Sequence, residues 1–165
     1  MYRTALALAS AAIMFTPTAA AAEETEPPTG PPPIIACGST LTVEEVNAHF
    51  NDRSDESGFA FSGNLVLRIS DADSSVVVRL PGHFVVEFTE TGNTVTNIGR
   101  TLVFPDPSVP FVAEAIAQAG LPELPLITGR VVIEETVDPV TGDLIGFEIT
   151  SFTGHVVDVC ELLAR

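Results

Sequence analysis

The chain has 165 residues, with seven arginines and no lysine against 22 acidic residues, a formal charge of −15. A field of that sign repels phosphate backbones and anionic lipid surfaces, which argues against nucleic acid as a partner. One Tyr, no Trp and no Lys also argue against an indole or phenol platform for sugars and remove any Schiff-base chemistry.

Residues 1–22 read as a secretory signal peptide. Arg3 supplies the positive charge, Ala5 to Phe15 the apolar core, and Ala20-x-Ala22 the small-residue cleavage site. The core is shorter than the roughly 20 apolar residues that span a bilayer, and no later segment reaches that length, so no transmembrane segment is expected. Cleavage before Glu23 places the product outside the cell. It removes Arg3, both methionines and the only tyrosine, and keeps all 22 acidic residues. Ile34-Ile35-Ala36-Cys37 has the look of a lipid-acceptor box. Three glutamates and five prolines separate it from the apolar core, whereas such a box must follow that core directly.

Residues 23–36 begin EETEPPTGPPP and read as an acidic, proline-rich spacer. Residues 37–165 then form a single β-rich domain, large enough to bury a core. Cys37 and Cys160 are its only cysteines, one near each end. In an oxidising compartment they are expected to form a disulfide. There is no CxxC for redox exchange and no second ligand cluster for a metal.

Thr42 with Glu45 fits a capping box, and Val43, Val46 and Phe50 fall on one helical face. The spacing predicts a short helix from Val43 to Asp52, ended by a polar loop over Asn51–Gly58. From Phe59 the pattern changes to alternating, Val-rich segments. Phe59–Ser70, Val76–Leu80, Phe84–Thr89, Val95–Phe104, Ile127–Val137, Leu144–Phe152 and His155–Cys160 are the expected strands. Pro81-Gly82 reads as an interruption, and Asp71–Ser75, Glu90–Asn93 and Asp138–Gly142 as turns. Between the strands, Ser108 as N-cap and Gly120 past the end bracket a helix from Val109 to Ala119, expected to pack on the sheet.

The fold class expected is mainly β: an antiparallel meander curled into a small barrel or sandwich, with two short helices. Leu65, Leu67, Ile69, Val76, Val78, Phe84, Val86, Phe88, Leu102, Phe104, Val131, Ile133, Ile145, Phe147 and Ile149 alternate and should form its inner face. A weak repeat, Ser62-Gly63-Asn64-Leu65, Ile98-Gly99-Arg100-Thr101 and Thr128-Gly129-Arg130-Val131, sets a glycine in each of several strands. Gly82-His83 and Gly154-His155 add two more. Such glycines mark bends or close backbone approach.

Phe61-Ser62-Gly63-Asn64-Leu65-Val66-Leu67, Thr128-Gly129-Arg130-Val131-Val132-Ile133 and Asp158-Val159-Cys160-Glu161-Leu162-Leu163 resemble small secreted proteins of high-GC Gram-positive bacteria. The resemblance implies export and a β-rich domain. It brings no activity and no catalytic residues.

No HExxH, GxSxG or P-loop is present. The polar-site candidates are His83 and Glu87, which share a strand face and suit an acid/base pair or two metal ligands, and His155, which approaches His83 if their strands are neighbours. Arg100 and Arg130 suit an anion clamp, or with Arg68 and Arg79 they pair with Glu87, Glu134 and Glu148 across strands. Asp71-Ala72-Asp73 starts like a calcium loop but lacks its glycine and terminal glutamate, so it reads as a hairpin turn. No catalytic set, metal site or cofactor is assigned. The sequence reads as an exported acidic binding or interaction module for a protein or surface partner. A barrel holding a small apolar ligand, or a cavity isomerase or cyclase using His and carboxylate, is the alternative. The discriminating property is whether the interior is filled or hollow.

Overall fold

The structure is a computed structural model that describes residues 34–165. The expected signal peptide and residues 23–33 of the expected spacer lie outside the described residues. The elements run β1 (Ile34–Ala36), β2 (Ser39–Asp55), β3 (Gly58–Ser70), β4 (Ser75–Phe88), β5 (Gly92–Leu102), α1 (Pro110–Gln118), β6 (Pro125–Val137), β7 (Leu144–Asp158) and α2 (Val159–Leu163). The strands form an antiparallel meander in the order β1 to β7, curled into a half-barrel. The spacer's last three residues, Ile34–Ala36, are β1 and belong to the sheet.

Aspartates close three of the hairpins, β2–β3, β3–β4 and β6–β7. Asp71 Oδ1 accepts from the N–H groups of Asp73 and Ser74, Asp138 Oδ1 from those of Val140 and Thr141, and Asp55 Oδ1 from the Ser57 N–H and hydroxyl. These hydrogen bonds favour the ionised carboxylates and hold all three below the usual carboxylate range. Asp71 is thus committed to its turn, as the hairpin reading of Asp71-Ala72-Asp73 requires.

The expected helix at Val43–Asp52 and the loop after it are instead strand β2, paired with β3 from Thr42↔Ser70 to Asp55↔Gly58. A β-bulge between Glu45 and Asn47 explains the misreading. The extra residue shifts the alternation by one, so Val43 (opposite Ile69) and Phe50 (opposite Gly63) lie on the same strand face. Seven residues apart, they mimic two turns of helix. The second short helix is α2, where Cys160 lies. Asp158 caps it by accepting from the Cys160 N–H at 2.9 Å. The strand expected at His155–Cys160 is the end of β7, which runs through Gly154 unbroken to Asp158.

Pro81-Gly82 does not interrupt β4. The β4–β5 ladder begins at Gly82↔Gly99, so Pro81 sits where β4 parts from β5 and its missing N–H breaks no bond between them. That point is general to the sheet. Gly63, Gly82, Gly99, Gly129 and Gly154 stand directly opposite one another across β3 to β7, one unbroken glycine row. A Cβ on Gly99 (φ 134°) would lie 2.4 Å from the Pro81 carbonyl oxygen, and one on Gly154 (φ 122°) 2.1 Å from that of Thr128. The row removes every side chain along a line on the inner face, and the sheet folds along it.

On one side of the row β3 to β7 pair continuously. On the other the sheet splits into β2–β3–β4 and β5–β6–β7. Between these wings lies one core, where Leu65, Leu67, Ile69, Val78 and Leu80 meet Leu102, Leu124 and Leu126. A second core joins Phe84, Val86, Val95, Val131, Ile133, Phe147 and Ile149 to Val112, Ala115 and Ile116 of α1. Leu126 belongs to the first and Ile127 to the second, so the start of β6 is buried on both faces. Of the expected inner face, Phe88 and Ile145 are exposed, and Val76 and Phe104 are half-buried against the first core. The disulfide Cys37–Cys160, Cα–Cα 5.2 Å, ties the β1–β2 turn to α2 beside that core.

Candidate functional site

The polar candidates do not converge. His83 is exposed on the convex face of β4, opposite Ser62 and Ile98, and its Nδ1 is hydrogen-bonded to the Ser62 hydroxyl at 2.6 Å. Glu87 shares that face, opposite Gly58 and Thr94. Four residues of strand hold it about 13 Å from His83, too far for a shared proton or metal. His155 is opposite Thr128 on β7, three strands away and on the other side of the glycine row. The strands of His83 and His155 are not neighbours, and about 14 Å of sheet separates them. Arg130 stands between Ile98 and Thr153, and Arg100 opposite Thr128. Among the described residues the ion pair is Arg68–Glu44, 2.7 Å, across β2 and β3. The pairings expected for Glu87, Glu134 and Glu148 do not form. No group of three or more His, Cys, Asp or Glu among the described residues is placed to hold a metal ion.

The aromatic residues do converge. Phe50 of β2, Phe59 and Phe61 of β3, and Phe84 and Phe88 of β4 form one cluster on the concave face. Phe61 stacks on Phe84 at 4.5 Å between centroids and meets Phe50 edge-on at 5.3 Å, while Phe59 reaches Phe61, Phe84 and Phe88 at 6.3 to 6.4 Å. The cluster is graded. Phe84 at its base is 3% exposed, whereas Phe50 and Phe88 at its rim are 43% and 40% exposed. Helix α1 packs toward β7 and covers the other end of the concave face. An open cleft of about 350 Å³ lies at the uncovered end, lined by Asp52, Arg53, Ser54, Asp55, Gly58, Phe59 and Phe88. A second open cleft, about 500 Å³, runs beside α1 between Ile35, Pro107, Pro110, Ala117, Leu121 and Glu123.

Deeper on the same concave face lies Glu135, 5% exposed, in the cross-strand row Phe88, Asn93, Glu135, Phe147. Its Oε2 accepts from Asn93 Nδ2 at 3.1 Å, and its Oε1 has no hydrogen-bond partner. Burial pushes this carboxyl above the usual carboxylate range, with the Asn93 hydrogen bond opposing weakly. Asn97 Oδ1 and Thr101 Oγ1 of β5 are also buried without a partner.

Glu135 has a sequence signal, whereas the aromatic rim carries no motif. Val131, Ile133 and Glu135 alternate, which places Glu135, not Glu134, on the core face. Phe50 is found only by reading β2 as a bulged strand. No family model, no curated protein and no solved structure matches the chain.

Proposed function

We propose that this chain is an exported, non-enzymatic binding module whose contact surface is the uncovered aromatic end of the concave face. One observation carries the reading: a cluster of five phenylalanines, closed at its base and half-exposed at its rim, beside a cleft and an open sheet edge. Apolar rings left in water at a rim are a feature that association covers. The inner face supports a site outside the interior, because Phe84, Val86, Val95 and Ile133 are all but fully buried against one another and α1. The separation of His83 from Glu87 along β4, and of both from His155 on β7, supports a non-catalytic role. The leader and the disulfide between the two ends support export.

The test is a solvatochromic apolar probe, Nile red, titrated onto the protein beginning at Glu23. Saturable enhancement is expected, lost in Phe50→Ser with Phe88→Ser while the melting temperature stays within a few degrees. Sub-micromolar binding of fatty acids unaffected by that pair would place the site inside the sheet and overturn the reading. Substrate turnover lost in both His83→Ala and Glu87→Ala would overturn its non-enzymatic part.

A further inference from the structure

We infer that the aromatic end receives an extended cationic segment of a partner protein, which adds as a strand along the free edge of β2 and seats an apolar side chain on Phe59 and Phe88. The inference rests on the binding reading above and names the partner's chemistry. Its first support is backbone. The outer edge of β2 is paired with β1 only at Ser39, Thr40 and Leu41. From Thr42 to Asp55 the strand has β3 on one side and no strand among the described residues on the other. Such an edge is a row of unmade hydrogen bonds, the template for strand addition.

The second support is side-chain placement. Phe50, Asp52 and Ser54 alternate on the concave side of β2, and Arg53 and Asp55 on the convex side. An added strand therefore directs every second side chain over the concave side, where the cleft offers Phe59 and Phe88. The third is charge. Asp52 and Asp55 line the cleft, Glu56 is at the hairpin tip, and Glu87 follows Gly58 in the cross-strand row that Asp55 begins. Arg53 is the one cation in the cleft wall. Both faces of an added strand thus meet carboxylates, so Lys or Arg flanking an apolar residue complements the site. A second copy of this chain does not, since pairing two β2 edges sets these carboxylates against each other.

The probe is a ten-residue peptide alternating lysine with valine and one central phenylalanine, with the same pattern in glutamate as its control. Binding is followed by anisotropy, and by hydrogen exchange of the whole protein beginning at Glu23. The lysine peptide is expected to bind with slowed exchange at β2 amides between Val46 and Asp55. Affinity should fall at least tenfold in Phe50→Ser with Phe88→Ser, in Asp52→Asn with Glu87→Gln, and when alternate peptide nitrogens are methylated on the pairing edge. Equal binding of the glutamate peptide, indifference to N-methylation, or protection confined to the α1 cleft would each overturn the inference. So would a concentration-dependent dimer that protects the same β2 amides. Nile red binding lost with the phenylalanines, alongside no protection of β2, leaves the binding module standing and removes the cationic strand. Loss of both removes both.

Discussion

Glu135 is the residue at which folding and ionisation conflict. Its side chain is buried between Asn93 and Phe147, one oxygen has no partner, and burial raises its folded-state pKa above the ordinary 4.5. A raised folded pKa means that its contribution favours folding while protonated. That contribution is fully present below the unfolded pKa and is lost as pH rises through the folded one. Glu135→Gln keeps the shape and removes the titration. At pH 7 the variant is expected to melt above the parent, with the two curves converging toward pH 4. A parent that melts higher at pH 7 would mean that the carboxylate has a favourable partner. The glycine row sets a second residue-scale constraint. Gly154→Ala puts a methyl group 2.1 Å from the Thr128 carbonyl oxygen at φ 122°. The expected cost is about 3 kcal/mol or more, read by urea unfolding, against about 0.5 kcal/mol for a change at the open position Gly38 that respects its φ.

At the scale of elements, β2 and β6 are opposites. Leu126 and Ile127 at the start of β6 pack into different cores, so both faces are buried there, whereas Thr128, Arg130, Glu134 and Thr136 farther along the strand are exposed. Ile127→Ala is expected to cost about 2–5 kcal/mol. β2 is exposed along most of its length and, beyond Leu41, has β3 as its one partner strand among the described residues. In the free protein its amides from Asn47 to Asp55 are expected to exchange sooner than those of β5 and β6, which lie between two partners. Uniform protection across the sheet would show that the β2 edge is covered in solution. The strands from Phe59 onward were legible because turn chemistry and alternation agree there, as at Asp71 and Asp138. β2 was not, because a bulge between Glu45 and Asn47 gives a strand a helical spacing, and only pairing with β3 decides between the two.

At the scale of the whole molecule, the disulfide joins residues 123 positions apart and fastens the first strand to the last helix. Reduction should lower stability by up to about 4–5 kcal/mol on the chain-entropy account. Thiol labelling of the denatured, unreduced protein should find no free cysteine. Secreted material should begin at Glu23 without lipid, as mass spectrometry would read.

The amino-acid sequence by itself determined the β class, a helix between Val109 and Ala119, the turns after β3, β4 and β6, and the cysteine pair, but not the β2–β3 turn at Glu56–Ser57, which it read within a loop. Each depends on residues near one another in the chain, or, for the cysteines, on there being only two. The glycines were visible as a repeat, but their alignment into one row was not. Alignment is a property of register, and register is fixed by the pairing of whole strands. The candidate site followed the same division. His83 and Glu87 share a face of β4 but are held apart by the rise of the strand, and His155 is removed from both by the order of strands. Phe50, Phe59 and Phe88 carried no motif, and strand pairing with β3 brought them to one rim. Chemistry is written residue by residue, whereas proximity between strands exists only once the sheet has formed.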